Sequence, residues 1–319
     1  MKQQRFISLI SLLLAVCTLF CACGKAAPKT PEATEGTKNI FANSLQKEDP
    51  SLDNEFNLLL VGSSACYYYV EELAGIAKAT GITMRVCNLY YSGASVQDHW
   101  TWWKNGDTKC EFYVTTEAGR TGVNDVGIMY ALQQYNWDAI GMCDGDAAEI
   151  LKTSPQKAFD TRKKFITEML ELYKKEFPLT PLYWQSSGSY QVGYDDKFKV
   201  DSFETQNKQV AILSEYSQIV CDAFDLALVP RGDAAQLARA NPVIGDTITA
   251  RLGVNNDLGD MRHDGDIGGG QYLTACVWWE ILTGQSCIGN AWRPPYALSE
   301  EKIAALQEAA HQAVLNLKN

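Results

Sequence analysis

Histidine is scarce in this chain. Three occur among 319 residues, His99, His263 and His311, so chemistry that needs an imidazole base has a short list of candidates. Basic residues are outnumbered, 28 lysines and arginines against 38 aspartates and glutamates, which argues against nucleic acid as a partner. The ten cysteines include no Cys-x-x-Cys spacing, which is poor ground for a zinc site or a disulfide framework. The apolar run at the front, Phe6 to Phe20, is shorter than the roughly 20 residues of a membrane-spanning helix. Internal repeats and a second linker are also missing, so one body is expected after the N-terminal region.

What the front of the chain does contain is a basic start (Lys2, Arg5), that apolar stretch, and small residues before Cys23. The pattern predicts a secretion signal over residues 1–22. The ending Leu-Phe-Cys-Ala-Cys-Gly resembles a bacterial lipobox, in which Cys23 becomes the lipidated first residue; plain secretion with Cys23 unmodified is the alternative. Residues 23–52, rich in Pro, Thr, Ala and charge, are expected to be a flexible tether. The expected location is therefore outside the cell, lipid-anchored on the outer face of the bacterial cytoplasmic membrane. The seven cysteines of the body (66, 87, 110, 143, 221, 276 and 287) stand mostly in apolar contexts and are expected to be buried free thiols.

From Phe56 onward short apolar runs alternate with longer amphipathic stretches. Strands are expected at 58–61, 83–90, 137–142, 179–184 and 225–229. Helices are expected at 68–80, 126–134, 160–176, 204–223, 271–282 and 299–317. This alternation indicates an α/β body, residues 53–319, with a central parallel sheet covered on both faces. Residues 109–119 are expected to form a small hairpin outside that sheet.

In such a sheet ligands collect at the carboxyl ends of the strands. The segment Phe-Asn-Leu-Leu-Leu-Val-Gly-Ser-Ser-Ala-Cys (56–66) places Gly62, Ser63 and Ser64 at the end of the first strand. Gly62 permits a sharp turn, after which either serine is available as a nucleophile or as a helix cap. A serine nucleophile needs a base, and the base needs an orienting group. His311 falls in a terminal amphipathic helix and is a surface or packing residue. His99 lines the cleft or packs on Trp100. His263 follows Asp260 by three residues, a spacing that lets the carboxylate hold one ring nitrogen and free the other. A solvated acidic loop, or a cation site from Asp257, Asp260, Asp264 and Asp266, is the alternative for that stretch; the spacing does not match a calcium-binding EF-hand loop.

A serine after the first strand and Asp-x-x-His near the C-terminus resemble the SGNH (GDSL-like) hydrolases. The blocks Leu59–Gly81, Asn88–Trp100, Val229–Ala240, Leu258–Asp266 and Gly268–Gly284 resemble, in order and spacing, the secreted family catalogued as domain of unknown function 4886. The resemblance implies a three-layer flavodoxin-like (SGNH hydrolase) fold. It also implies Ser64 as nucleophile, His263 as general base and Asp260 as its orienter, with backbone N–H groups of Ser64 and Gly93 as the oxyanion hole. Neither a metal nor an organic cofactor is required. Two departures stand out. Ser63 occupies a position where Asp or Asn is usual, and Cys143 and Asp144 stand where amides are expected. A carboxylate facing a developing oxyanion opposes the reaction unless neutralised or turned away; Asn88 or Gln185 are alternative donors.

Aromatic residues near strand ends, Trp102, Trp103 and Trp184 with the Tyr67–Tyr69 run, are candidates for stacking on sugar rings, while Trp278 and Trp279 are expected in the core. The combined expectation is an esterase acting on a small or glycan-borne acyl ester. The rivals are a catalytically impaired carbohydrate-binding lipoprotein and a solute-binding lipoprotein.

Overall fold

The computed structural model describes residues 55–193, 199–244 and 269–317. The segments expected to be a secretion signal and a tether, with Cys23, lie outside the described residues, as do Asp257, Asp260, His263, Asp264 and Asp266.

The chain builds, in order, β1 (Glu55–Gly62), a single 3-10 turn (Ser64–Cys66), α1 (Val70–Ala79), β2 (Thr83–Tyr90), α2 (Val96–Asn105), β3 (Cys110–Thr116) and β4 (Gly119–Val126). There follow α3 (Ile128–Leu132), β5 (Ala139–Cys143), α4 (Ala147–Ile150), α5 (Pro155–Glu176), β6 (Leu182–Gln185), α6 (Phe203–Phe224) and β7 (Ala227–Val229). The last elements are α7 (Arg231–Ala240), α8 (Gly269–Thr283) and α9 (Glu300–Asn316). The seven strands form one sheet in the order β4-β3-β2-β1-β5-β6-β7. Strands β2, β1, β5, β6 and β7 run parallel, while β3 pairs antiparallel with β2 and β4 with β3. The hairpin expected outside the sheet is thus a continuation of its edge.

The parallel strand β1 is apolar almost throughout because both of its faces are covered. Phe56, Leu58 and Leu60 enter one core with α1, α7, α8 and α9. Leu59 and Val61 enter the other with α2, α3, α5 and α6. Leu58, Leu59 and Leu60 are fully buried, each worth about 1.5–3 kcal/mol of transfer free energy. Helix α8 is buried along nearly its whole circumference, including Trp278 and Trp279, as a helix apolar all round must be.

Three helix starts follow from local chemistry. Helix α2 begins with a capping box: the Ser95 hydroxyl accepts from Asp98 N, and the Asp98 carboxylate accepts from Ser95 N at 2.8 Å. Helix α5 begins at Ser154-Pro155, with serine as cap and proline in the first turn, five residues before the expected start. Helix α6 is capped by Ser202. Helices α2 and α7 were not expected from the apolar pattern.

With the hairpin set aside, the parallel order 2-1-5-6-7 is that of a doubly wound flavodoxin-like sheet. The strand order changes direction between the parallel neighbours β1 and β5, and the crevice at their carboxyl ends is where such a fold binds ligands.

Candidate active site

The candidate site lies at that crevice. It is made of the turn after β1, the loop after β2 and the residues that follow β5.

The chain leaves β1 at Gly62 and turns at Ser63, which has extended backbone angles (φ −99°, ψ −162°) and caps the 3-10 turn by accepting from Ala65 N at 3.4 Å. Ser63 is buried, and Ser64, the first residue of the turn, is only partly so. The two serines, between which the sequence left the roles of cap and nucleophile open, are therefore distinct: Ser63 caps the 3-10 turn, and Ser64 is the more exposed of the two. Gly62 does not adopt a left-handed conformation. Its lack of a side chain serves close approach instead, because a Cβ there would lie 2.7 Å from Cys143 Sγ and 3.1 Å from Cys66 Sγ.

The backbone of this turn is held by side chains from three separate strands. The Gln185 amide at the end of β6 donates to the Ala65 carbonyl at 2.9 Å, the Asn88 amide of β2 donates to the Cys66 carbonyl, and Arg120 of β4 donates to the Tyr67 carbonyl at 3.0 Å. Three successive carbonyls of the turn are thus satisfied from the sheet. Gln185 is itself fixed, its Oε1 accepting from Tyr69 OH at 2.7 Å and Trp278 Nε1 at 2.6 Å. Asn88 and Gln185, expected as alternative oxyanion donors, are instead the anchors of the turn. The hairpin acquires a purpose here: it carries Arg120, whose guanidinium also lies 4.3 Å from the centre of the Tyr67 ring.

Gly93 stands exposed in the loop after β2 with φ 71°. This loop is tied to both neighbours: Tyr91 N donates to the Gly62 carbonyl at 3.3 Å, and Gly145 N to the Ala94 carbonyl at 3.2 Å. Any side chain at Gly145 would collide with that carbonyl, at 2.2 Å from a Cβ. The ends of β1, β2 and β5 are therefore in contact, bringing Ser64, Gly93 and the 143–145 segment to one crevice. The Gly145 amide is spent on Ala94, which leaves the β5 loop without a donor from that residue.

Asp144 does not face this crevice. Strand alternation sends Cys143 to the core shared with Cys66 and α1 and Asp144 to the opposite side of the sheet. There its carboxylate lies 3.2 Å from Arg162 Nε of α5 and accepts from Tyr216 OH of α6 at 3.1 Å and from Val96 N at the start of α2 at 3.4 Å. Burial pushes its pKa up and the Arg162 guanidinium opposes that rise. The expected conflict between Asp144 and an oxyanion is absent because the carboxylate is both paired and turned away.

His99 is not a base. It is buried against Trp102, with ring centroids 5.4 Å apart, and its Nε2 donates to the Gly62 carbonyl at 3.2 Å. Burial lowers its pKa to about 4, so the ring is neutral at pH 7 and braces the end of β1. His311 pairs with Glu280, Nδ1 to Oε2 2.9 Å, consistent with a packing role. Trp184, expected in the cleft, is a core residue packed edge-on against Tyr216.

The accessible aromatics near Ser64 are tyrosines. Tyr67 lies with ring centroids 4.5 Å from Tyr90, 5.1 Å from Tyr113 and 5.1 Å from the exposed Tyr68. Exposed Tyr91 meets Trp102 at 4.9 Å. The run Tyr67-Tyr68-Tyr69 was the signal for this patch, although Tyr69 itself is turned into the core. Trp103 lines a separate recess of about 890 Å³ between α2 and α5, whose walls mix Lys104, Lys163 and Lys164 with Glu168 and Glu171.

Among the described residues no cluster of three or more metal-binding side chains occurs.

Comparison with solved structures finds several similar to this chain. A DUF4886 family protein from Bacteroides uniformis ATCC 8492 is 21% identical and superposes with a TM-score of 0.69 over 83% of this chain and 96% of its own. An acetyl xylan esterase, AlAXEase, is 14% identical with a TM-score of 0.45, covering 70% of this chain and 98% of its own. A carbohydrate acetylesterase family member from Sinorhizobium meliloti is 16% identical with a TM-score of 0.37, covering 71% and 99%. No curated protein is detectably similar in sequence. The family model described as "Domain of unknown function (DUF4886)" matches residues 57–313, in keeping with the order of the sequence blocks, and the chain belongs to that family.

Proposed function

We propose that the protein is a serine ester hydrolase that works through an acyl-Ser64 intermediate. The observation that carries this reading is the setting of Ser64: a partly exposed serine at the switch point of the sheet, on a turn whose following carbonyls are pinned by Gln185, Asn88 and Arg120. A backbone held that firmly reduces the ordering needed to bring its serine to an attack geometry, which favours nucleophilic catalysis.

In the proposed reaction Ser64 Oγ attacks the ester carbonyl. His263 takes the hydroxyl proton and returns it to the leaving alcohol, and Asp260 orients the imidazole. The Ser64 and Gly93 amides receive the developing oxyanion; one such donor is typically worth about 10²-fold in rate. Water then attacks the acyl-enzyme with His263 again as base. The tyrosine patch beside Ser64 favours a substrate with a flat apolar face, and an acyl group carried on a sugar ring meets that description. Export and lipid attachment at Cys23 complete the proposal and place the enzyme against surface glycans.

The rival reading of an impaired, purely binding protein drew on Cys143 and Asp144 standing where amides are expected; the Asp144 carboxylate is paired with Arg162 and Tyr216, and the missing amide donor keeps that rival as the alternative the assay decides for or against. Hydrolysis of p-nitrophenyl acetate by the wild type, Ser64→Ala and His263→Ala tests the proposal. Loss of at least about 10³-fold in kcat/KM for each variant, with the fold retained, is expected; equal rates for all three overturn it. Metabolic labelling with a radioactive fatty acid tests the anchor, and incorporation that persists in Cys23→Ser removes it.

A further inference from the structure

The two sulfurs at the crevice are closer than packing alone requires. Cys66 Sγ lies 3.0 Å from Cys143 Sγ, within about 1 Å of the roughly 2.05 Å of a disulfide bond. Both residues are 99% buried, and the position next to them is a glycine. With any side chain at 62, a Cβ would meet Cys143 Sγ at 2.7 Å and Cys66 Sγ at 3.1 Å, so Gly62 makes the space in which the pair meets.

A second buried pair exists: Cys287 interacts with the Cys276 side chain, but its sulfur also has an alternative partner 3.5 Å away in the Gln307 carbonyl. Cys110 lies 3.8 Å from His99 Nδ1. For Cys66 the alternative is a contact of 4.0 Å to the Val61 carbonyl, so the neighbouring sulfur is its principal partner.

We propose that Cys66 and Cys143 form a disulfide that ties the Ser64 turn to the end of β5. The bond would close the chain across 77 positions of sequence and span the switch point of the sheet. It would fix covalently the same turn that Gln185, Asn88 and Arg120 hold by hydrogen bonds. The inference rests on the proposed export, since outside the cytoplasm disulfides form and persist.

The oxidant is a disulfide, X–S–S–X, borne by a thiol oxidase or a small thiol. One cysteine, as thiolate after losing its proton, attacks a sulfur of X–S–S–X, breaking that bond and releasing X–S⁻, which takes up a proton. The second cysteine then displaces the remaining X from the mixed disulfide in the same way. Two thiols are oxidised, one disulfide is reduced to two X–SH, and no other reactant is needed.

The test is a peptide map of the full chain. The protein is equilibrated with oxidised glutathione in urea below its unfolding midpoint, so that local opening exposes the pair. It is then alkylated in strong denaturant and digested with trypsin without reductant. Cys66 is the one cysteine of peptide 48–78 and Cys143 the one cysteine of peptide 121–152. The expected result is a single species joining these two peptides, lacking both thiol hydrogens and separated by dithiothreitol. Recovery of both peptides alkylated singly, of glutathione adducts alone, or of either cysteine joined elsewhere overturns the proposal. The map reads a bond rather than a rate, and Ser64→Ala protein must give the same species, so its outcome is independent of the ester-hydrolase reading.

Discussion

The two faces of the sheet each bury a carboxylic acid, and they treat it in opposite ways. On the face of α5 and α6, Asp144 is met by Arg162, Tyr216 and the first amide of α2, and Asp146 joins the same guanidinium. On the face of α1, Glu72 follows the serine turn by two helical turns. It accepts from Tyr296 OH at 3.2 Å, and its Oε2 has no hydrogen-bond partner among the described residues. Burial pushes its pKa up to about 7. Burial raises both carboxyls; for Asp144 the Arg162 guanidinium and the surrounding donors oppose the rise, whereas Glu72, short of partners, is carried up to about 7. The candidate site lies between these two arrangements and uses neither carboxyl.

The sharpest way to break this picture is at the serines. Ser64→Ala is expected to lower kcat by about 10³-fold or more, while Ser63→Ala costs about 1 kcal/mol of stability and changes kcat by less than tenfold. Ester hydrolysis and thermal unfolding of the two variants, measured side by side, would reverse the assignment if Ser63→Ala proved the more damaging to turnover. Next in size, Arg162→Met leaves Asp144 buried without its cation and is expected to destabilise by about 3–5 kcal/mol in urea unfolding. A loss under about 1 kcal/mol would mean that the pair is dispensable.

Glu72 gives a pH signature of the opposite kind. Its folded pKa, about 7, is above its ordinary value of 4.5. The native state therefore holds this proton more tightly, and the stability so gained is complete below pH 4.5 and is lost as pH rises through 7. The change is about 3 kcal/mol. Glu72→Gln should flatten the stability profile between pH 4.5 and 7; an unchanged profile would show that another group is responsible. The smallest expected effect is at the hairpin, where Arg120→Ala removes one hydrogen bond and one ring contact and should cost about 1–2 kcal/mol. Its kcat should fall more than its KM rises if the clamp positions Ser64, and the reverse pattern would make Arg120 a substrate contact.

Much of the scaffold was legible in residue order. The apolar runs of β1 and β2 and the long amphipathic helices α5, α6 and α9 gave a doubly covered parallel sheet, because burial on two faces or on one stripe writes itself into local hydrophobicity. Three helices were hidden from that reading, the four-residue α4 and the longer α2 and α7. In α2 the aromatic and polar residues mask the apolar stripe, although Ser95-Val-Gln-Asp98 is a capping signal. Helix α7 begins at Pro230-Arg231 and buries two arginines, Arg231 and Arg239, which periodicity counts as polar. The hairpin was seen but misplaced, since strand pairing is a long-range choice that a turn does not encode.

For the site, the sequence determined that a serine pair would follow the first strand, that few imidazoles could serve it, and that an acid would occupy position 144. Only the tertiary structure decided which serine caps and which stays open, that Asp144 belongs to the far side of the sheet, and that Asn88 and Gln185 hold a backbone turn. The physical reason is that chain order fixes chemistry and local periodicity, whereas the direction of a side chain at a strand end depends on register, and a polar group's role depends on partners contributed by distant strands.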